Sequence, residues 1–342
     1  MKGRIKHLNR SLQIYLAYNC KKVKNNPLPI RLWIEPTNLC NLKCVMCLNK
    51  SIPKDEKGFM NFDLFKRIID EAADFIHDVY LHHRGESLLH PDISEMIKYA
   101  KMKNIFTRLH TNATLLTEEK SYFLLNSGLD FLSFSFDGYE KEIYEKIRVG
   151  ANFERTLDNI HNFLLIKKKL KKKTPYTVFT VIKFAEPSKP QDEAKREQFI
   201  NQFNSLPLDN FITRKPHNWS GDYDTRIEKN NISKENSYLP CTFLWYSLTV
   251  FWNGKVLPCP QDFFGKNELG NVENTPLVKI WNNSSQVSLR EKIAARQYQD
   301  IEPCNNCDRL WRKQILGFPR QDVLRFLKDN ILGYQSIRKI FK

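Results

Sequence analysis

Arg31-Leu-Trp-Ile-Glu-Pro-Thr-Asn-Leu-Cys40-Asn-Leu-Lys-Cys44-Val-Met-Cys47 is the stretch on which the reading of this chain turns. Its opening, Arg31 to Glu35, has the apolar centre of a buried strand and runs straight into a loop holding three cysteines. Three thiolates from one short loop can bind three irons of a cubane cluster, whereas closed iron–sulfur and structural zinc sites usually have four protein ligands. The iron left over is open to an outside molecule. A zinc site would need a fourth ligand close by, and Asn38, Asn41 and Asn49 are poor ones.

Working outward, strand-like and helix-like runs alternate. Helical spacing over Phe62–Ile76 is followed by a strand at Asp78–His82, helix at Ile93–Lys103 and strand at Phe106–His110. Helix at Glu118–Asn126, strand at Leu129–Phe136, helix at Phe153–Lys172 and strand at Tyr176–Phe184 continue the series, which closes with Glu193–Phe203 and Asp209–Arg214. Regular β-α alternation predicts a parallel sheet with chemistry at the carboxyl ends of its strands. Six units fall short of eight, so the expected fold is α/β, a partial (β/α)6 TIM-like barrel. Beyond about residue 220 the composition turns polar. A β-hairpin is then predicted over Phe243–Val256 around Asn253-Gly254, and a helix over Pro276–Arg296. The expected division is a basic N-terminal segment (1–29), the barrel (30–225), a small hairpin-plus-helix auxiliary domain (226–312) and a basic amphipathic C-terminal helix (313–342).

The three-cysteine loop, placed after the first strand, resembles that of the radical S-adenosylmethionine (SAM) superfamily. The resemblance implies a [4Fe–4S] cluster on Cys40, Cys44 and Cys47 whose open iron is chelated by SAM. Reductive cleavage of SAM then gives a 5′-deoxyadenosyl radical that abstracts a substrate hydrogen. It also implies an electron donor such as a flavodoxin or ferredoxin. Met46 stands where the family often has an aromatic residue near the adenine, and it keeps an apolar, polarizable contact. Arg84-Gly85-Glu86-Ser87 resembles the family's Gly-Gly-Glu-Pro motif, so Glu86 is expected to accept the SAM amino group, with Gly85 letting the backbone approach the ligand. Thr111-Asn112-Ala113-Thr114 is similar to a segment beside the cofactor, which places Asn112 there. Ser133-Phe-Ser-Phe-Asp-Gly138 is similar to the family's Ser-Ile-Asp-Gly and implies a contact from Ser135 to the ribose or carboxylate, with Asp137 as a helix cap. Arg148 resembles an arginine that pairs with the SAM carboxylate.

Four further cysteines form a second set, Cys241 and Cys259 bracketing the hairpin, and Cys304-x2-Cys307 after a helix. Four thiolates close either a second [4Fe–4S] cluster or a zinc site, and local spacing leaves both open. Cys-x12-Gly-x4-Cys is similar to the opening of the SPASM domain, and the lack of later cysteines is similar to its shortened "twitch" form with one auxiliary cluster. The pattern is especially like that of the 2-deoxy-scyllo-inosamine dehydrogenases, which oxidise aminocyclitols. A closed cluster cannot ligate substrate, so electron transfer is its natural role. That favours dehydrogenation of a sugar, aminocyclitol or nucleotide-sugar. Epimerisation would need a spare thiol, and Cys20, the one uncommitted cysteine, precedes the barrel. A peptide-modifying enzyme is the alternative, disfavoured because about 30 residues before the barrel are too few for a separate recognition domain. His82, His217 and Trp219 are candidate substrate contacts; His82 and His83 are adjacent on a strand, so one of them is expected to face inward.

Composition sets the remaining bounds. With 41% hydrophobic and 27% charged residues, the chain reads as globular. It has no long apolar run and no secretory leader, so a cytoplasmic location is expected. The net charge of +16 suits a small polar, anionic substrate, and it also raises a different class, a zinc-stabilised nucleic-acid-binding protein, which the cysteine loop disfavours. Residues 1–24 carry seven Lys or Arg and no acid, and the last 35 residues carry nine bases against three acids. The basic amphipathic C-terminal segment therefore offers peripheral membrane contact. Lys167–Lys173, interrupted only by Leu170, is expected to cap a helix C-terminus, where cations suit the dipole.

Overall fold

The computed structural model describes residues 2–183, 190–214, 216 and 237–326. His217, Trp219 and residues 327–342, which include most of the expected C-terminal helix, lie outside the described residues. The chain divides into two compact units, one of residues 34–70 and 78–216, the other of residues 1–33, 71–77 and 217–342.

In chain order the first elements are α1 (Lys2–Asn19), β1 (Arg31–Ile34), α2 (Phe62–Ala72), β2 (Asp78–Tyr80), α3 (Ile93–Met102), β3 (Phe106–Thr111), α4 (Glu118–Asn126) and β4 (Phe131–Ser135). Then come α5 (Lys141–Ile147), α6 (Phe153–Lys169), β5 (Tyr176–Ile182), α7 (Pro190–Asn201) and β6 (Asn210–Arg214). Strands β2 to β6 lie in sequence order and all pair in parallel, with Leu109 opposite Leu132 and Phe179 opposite Phe211. Right-handed β-α crossovers demand that order when each helix returns the chain to the next strand. Side-chain alternation sorts the two faces. One face takes Phe134 and Phe179 against Phe163 of α6 and Phe199 of α7, with ring centroids 5.6 and 5.4 Å apart.

The other face is polar for a buried surface, and it is the barrel interior. It carries Asp78, Tyr80 and His82 from β2 and its extension, Arg108 and His110 from β3, Phe131, Ser133 and Ser135 from β4, and Tyr176 and Thr180 from β5. Arg108 Nε donates to Asp78 Oδ2 at 2.9 Å with both side chains almost fully buried, and Ser133 and Thr180 share a hydrogen bond of 2.8 Å. A buried charge is tolerated only when paired in this way.

Lys167, Lys168 and Lys169 fall in the last turn of α6, as expected, but Lys167 does more than meet the helix dipole. It ends α6 but turns inward, fully buried, and donates to Thr177 Oγ1, Pro207 O and Asp209 Oδ2, each at 3.0 Å. Its position on the helix face toward β5 overrides the neighbouring lysines' preference for water. Lys168, one residue on, reaches only the exposed carbonyl of Ser205.

The other unit contains α1, whose Ile14, Ala17 and Tyr18 are buried at helical spacing, so the N-terminal segment is an amphipathic helix. Its later elements are β7 (Ser237–Tyr238), α8 (Phe243–Tyr246), β8 (Ser247–Val250), β9 (Lys255–Leu257), β10 (Gly270–Asn271), α9 (Leu277–Trp281) and α10 (Ser284–Ala294). The hairpin is shorter than expected. Phe243, Leu244, Trp245 and Tyr246 are all buried, which a helical turn achieves and an alternating strand does not; the strands begin only at Ser247. The turn lies at Asn253-Gly254, with Gly254 at φ +82°. The long helix expected over Pro276–Arg296 is broken by Asn283, whose side chain caps α10 through Gln286 N at 2.9 Å and reaches Leu269 O at 2.7 Å. Trp311–Arg312 pairs with β7, Gln314–Ile315 pairs antiparallel with Phe318–Pro319 around a turn at Leu316-Gly317, and α11 (Arg320–Phe326) follows, so residues 314–319 form a short hairpin and not a helix. No helix among the described residues is long and apolar enough to cross a membrane.

Candidate active site

The three-cysteine loop is built by polar side chains that do not face any ligand. Thr37 Oγ1 donates to Gly58 O at 2.6 Å and accepts from Leu39 N at 3.0 Å. Asn38 bridges Glu56 O and Gly58 N, and buried Asn49 donates to Asn38 O and Arg84 O at 2.6 and 2.7 Å. The asparagines that are poor metal ligands are thus the loop's scaffold. Further along, Lys43 N and Val45 N donate to Val149 O and Ile147 O, both at 2.9 Å, and Cys47 N closes a turn on Cys44 O at 3.1 Å.

Gly85 belongs to this scaffold too. A Cβ there would run into the backbone of Thr37, Asn38 and Leu39, so its freedom serves close packing against the cysteine loop and not approach to a ligand. Glu86 N, next in the chain, donates to Leu39 O at 2.8 Å.

Around the loop the structure gathers a carboxylate and a guanidinium. Glu86 is buried, with Oε1 accepting from Leu88 N (3.0 Å) and Thr111 Oγ1 (2.8 Å) and Oε2 accepting from Asn112 N (2.7 Å). Burial raises its pKa above the ordinary carboxylate value, opposed by those donors and by Arg148. Asn112 meets Glu86 through its backbone; its side chain is engaged with Asn41 and Thr114. Arg148 Nη2 donates to Asp137 Oδ2 at 2.6 Å, while its Nε is buried with no hydrogen-bond partner. Asp137 is therefore no helix cap. It pins Arg148 and takes Ile182 N on its other oxygen at 2.6 Å, and α5 begins after Glu140 instead.

Burial pushes the Cys40 thiol up to about 12, reinforced by Glu86, Cys47 and Cys44; burial also raises Cys44 and Cys47, while Arg148 draws both down. Thiols so placed become thiolates only beside a strong positive charge, which iron ions supply. The donor set therefore fits the cluster. Met46 lies half-buried within the same loop. Ser135 sits on the interior face of β4, with no hydrogen bond to its hydroxyl among the described residues.

His82 and His110 stack in the barrel interior with ring centroids 4.1 Å apart, beside Tyr80. Burial first, then Arg214 and Arg108, holds His110 near 3; burial and His110 hold His82 well below its ordinary value. Both are neutral near pH 7. His83 is buried as well and lies on the other side of the strand end, its Nδ1 3.4 Å from Glu35. Arg84 grips Glu35 with two hydrogen bonds of 2.7 and 2.8 Å, and despite burial the carboxyl is held at about 2 by Arg84 and His83. The departure from Gly-Gly-Glu-Pro at Arg84 is thus matched by an acid at Glu35. His110 and Glu35 escaped the sequence reading. Polar residues at alternate positions of β3, Arg108 and His110, were the available signal for the first.

In the other unit, Cys241 and Cys259 are buried and Cys304 and Cys307 half-buried. Burial raises Cys259 far above its ordinary value, with Cys241, Cys304 and Cys307 all contributing; Cys304 is raised by burial, Cys241 and Cys307. The four thiols lie within electrostatic reach of one another. Asp262 tightens the turn after Cys259 by accepting from Lys266 N and Asn267 N at 2.8 and 2.7 Å. No three His, Cys, Asp or Glu side chains among the described residues are gathered as one metal ion would require.

Residues 34–181 match the radical SAM superfamily, and residues 241–308 match SPASM, an iron–sulfur cluster-binding domain. The chain belongs to the radical SAM enzymes and carries a SPASM-type domain. Its cofactors are a [4Fe–4S] cluster, SAM and auxiliary iron–sulfur. Among relatives, it is 24% identical to the tungsten-containing aldehyde ferredoxin oxidoreductase cofactor-modifying protein of Pyrococcus furiosus, over 84% of this chain and 96% of that protein. Among solved structures it is similar to BtrN in complex with AdoMet and 2-DOIA (TM-score 0.56, 18% identity, 83% of this chain and 94% of that one). It is also similar to Streptococcus suis SuiB bound to the precursor peptide SuiA (TM-score 0.61, 18% identity, 97% and 80%). These two likenesses establish the partial-barrel fold.

Proposed function

We propose that this chain is a radical SAM oxidoreductase that removes two electrons from a small polar substrate, a sugar, aminocyclitol or nucleotide-sugar. Cys40, Cys44 and Cys47 hold the open cluster; Glu86 takes the amino group of SAM and Arg148 its carboxylate. Arg148 has the capacity for that role, since its buried Nε is unpartnered. Asn112 positions Glu86 by its backbone N–H, Met46 flanks the adenine, and Ser135 offers its hydroxyl to SAM. With both groups bound, the site would supply hydrogen-atom abstraction from a carbinol carbon, and Cys241, Cys259, Cys304 and Cys307 would hold the acceptor for the second electron as the hydroxyl loses its proton.

The observation that carries this reading is the second cysteine set. Cys241, Cys259, Cys304 and Cys307 supply every ligand a cubane needs, so that cluster is suited to electrons and not to substrate. The barrel interior supports it. Neutral His82 and His110 can each donate one hydrogen bond and accept another, which suits a polyhydroxylated ligand. The inward positions of β2 to β6 among the described residues carry no cysteine that could return a hydrogen atom, which favours dehydrogenation over epimerisation. Residues His217 and Trp219 retain their proposed substrate role from sequence alone.

A peptide substrate is the second reading, favoured by the likeness to SuiB over 97% of this chain. Anaerobic assays separate the two. Formation of 5′-deoxyadenosine and a carbonyl product that depends on added sugars or aminocyclitols supports the proposal; dependence on peptides alone refutes it.

A further inference from the structure

Beside the four-cysteine set lies a cation that the proposed reaction has not used. Arg309, two residues past Cys307, is half-buried, and Cys241 and Cys307 are within its electrostatic reach. Its guanidinium carbon stands 3.9 Å from the centroid of the Phe243 ring, which fixes the plane of the group. Nε and Nη2 are buried and donate no hydrogen bond. Asp322 is its ion-pair partner, with Oδ1 3.8 Å from Nη2 and too far for a hydrogen bond, and Asp322 is itself held by Thr242 Oγ1 at 2.7 Å. Arg312 approaches the same carboxylate at 3.7 Å. Thr242 follows Cys241, so one acid links the arginines to the segment that carries that cysteine.

Buried N–H groups without acceptors are costly, and a guanidinium cannot shed its charge to escape. An arginine kept in that state within reach of Cys241 and Cys307 wants an anionic acceptor. A cubane with four thiolate ligands is such an acceptor, because its net charge is negative and grows on reduction, and hydrogen bonds to its sulfurs and nearby charge set its potential.

We propose that Arg309 is a positioning residue for the auxiliary cluster, donating from its unpartnered N–H groups toward the cluster's sulfur and raising its reduction potential so that it accepts an electron from the substrate radical. Asp322 acts against it, tempering the charge of Arg309 through the ion pair at Nη2. This inference rests on the cluster assigned above.

The test is an anaerobic redox titration of the reconstituted full chain, followed by EPR of the auxiliary cluster. Arg309→Gln is expected to lower the equilibrium constant for reduction at least about tenfold, which is about 59 mV for one electron. Arg309→Lys, which keeps the charge, should recover part of that shift. Asp322→Asn should move the potential the opposite way, and it serves where Arg309→Gln fails to retain the cluster. An unchanged potential in a fully loaded Arg309→Gln chain, or a downward shift in Asp322→Asn, overturns the inference. A wild-type chain that binds only the first cluster removes the cluster reading itself, a failure distinguished by its iron content.

Discussion

The two cysteine sets differ in how they are assembled and in what surrounds them. Cys40, Cys44 and Cys47 come from one loop, braced by Thr37, Asn38, Asn49 and Gly85, and the same unit sets a carboxylate and a guanidinium beside them. Cys241, Cys259, Cys304 and Cys307 come from three separate segments, with aromatic and arginine neighbours, and the carboxylate beside them, Asp262, is committed to the backbone of the turn after Cys259. The contrast is one of purpose. A site that must admit a zwitterionic molecule keeps one coordination position free and offers both signs of charge. A site that only stores an electron closes its coordination and needs neighbours that set its potential.

The largest expected effects break that contrast at its ligands. Cys44→Ala should reduce SAM cleavage to the level of the iron-free chain. Cys241→Ala should still form 5′-deoxyadenosine when substrate is added but should lose the oxidised product; full product formation in that variant would contradict the electron-accepting role. Next, Arg148→Met removes a charged hydrogen-bond donor worth about 1.5–3 kcal/mol, so SAM binding measured by calorimetry should weaken about 10- to 100-fold. Gly85→Ala should destabilise the barrel by about 1–3 kcal/mol through overpacking against residues 37–39, read as a lower denaturant midpoint, with the other unit's cluster retained.

The smallest effect concerns pH. His110 is held at about 3 when folded, against an ordinary value of 6.5. The unfolded chain therefore binds a proton that the folded one refuses between those values. Its contribution to stability is complete above about pH 6.5 and declines as pH falls toward 3. His110→Gln should flatten that part of the stability profile, and an unchanged profile would place His110 in a more solvated setting.

Much of this was legible in the sequence because it is local. The cysteine spacing, the β-α alternation and the order of Glu86, Ser135 and Arg148 are all carried by short segments. What stayed hidden depends on pairings between distant segments. Lys167 looks like one more cation at a helix end until Asp209, 42 residues on, takes its charge. Arg84 reads as a broken motif until Glu35 is seen to hold it. Asp137 passes for a helix cap because its partner, Arg148, belongs to the next turn of chain. Four consecutive large apolar residues at Phe243–Tyr246 give no periodicity at all, so strand and helix could not be told apart there.

The difference between an open and a closed cluster is tested most directly by Mössbauer spectroscopy of the anaerobically reconstituted chain before and after SAM is added. Two cubanes predict about eight irons per chain, with SAM altering the signal of a single iron. That change should persist in Cys241→Ala and vanish in Cys44→Ala. A spectrum that SAM leaves unaltered, or a change that survives loss of Cys44, would contradict the assignment of the three-cysteine loop as the open site.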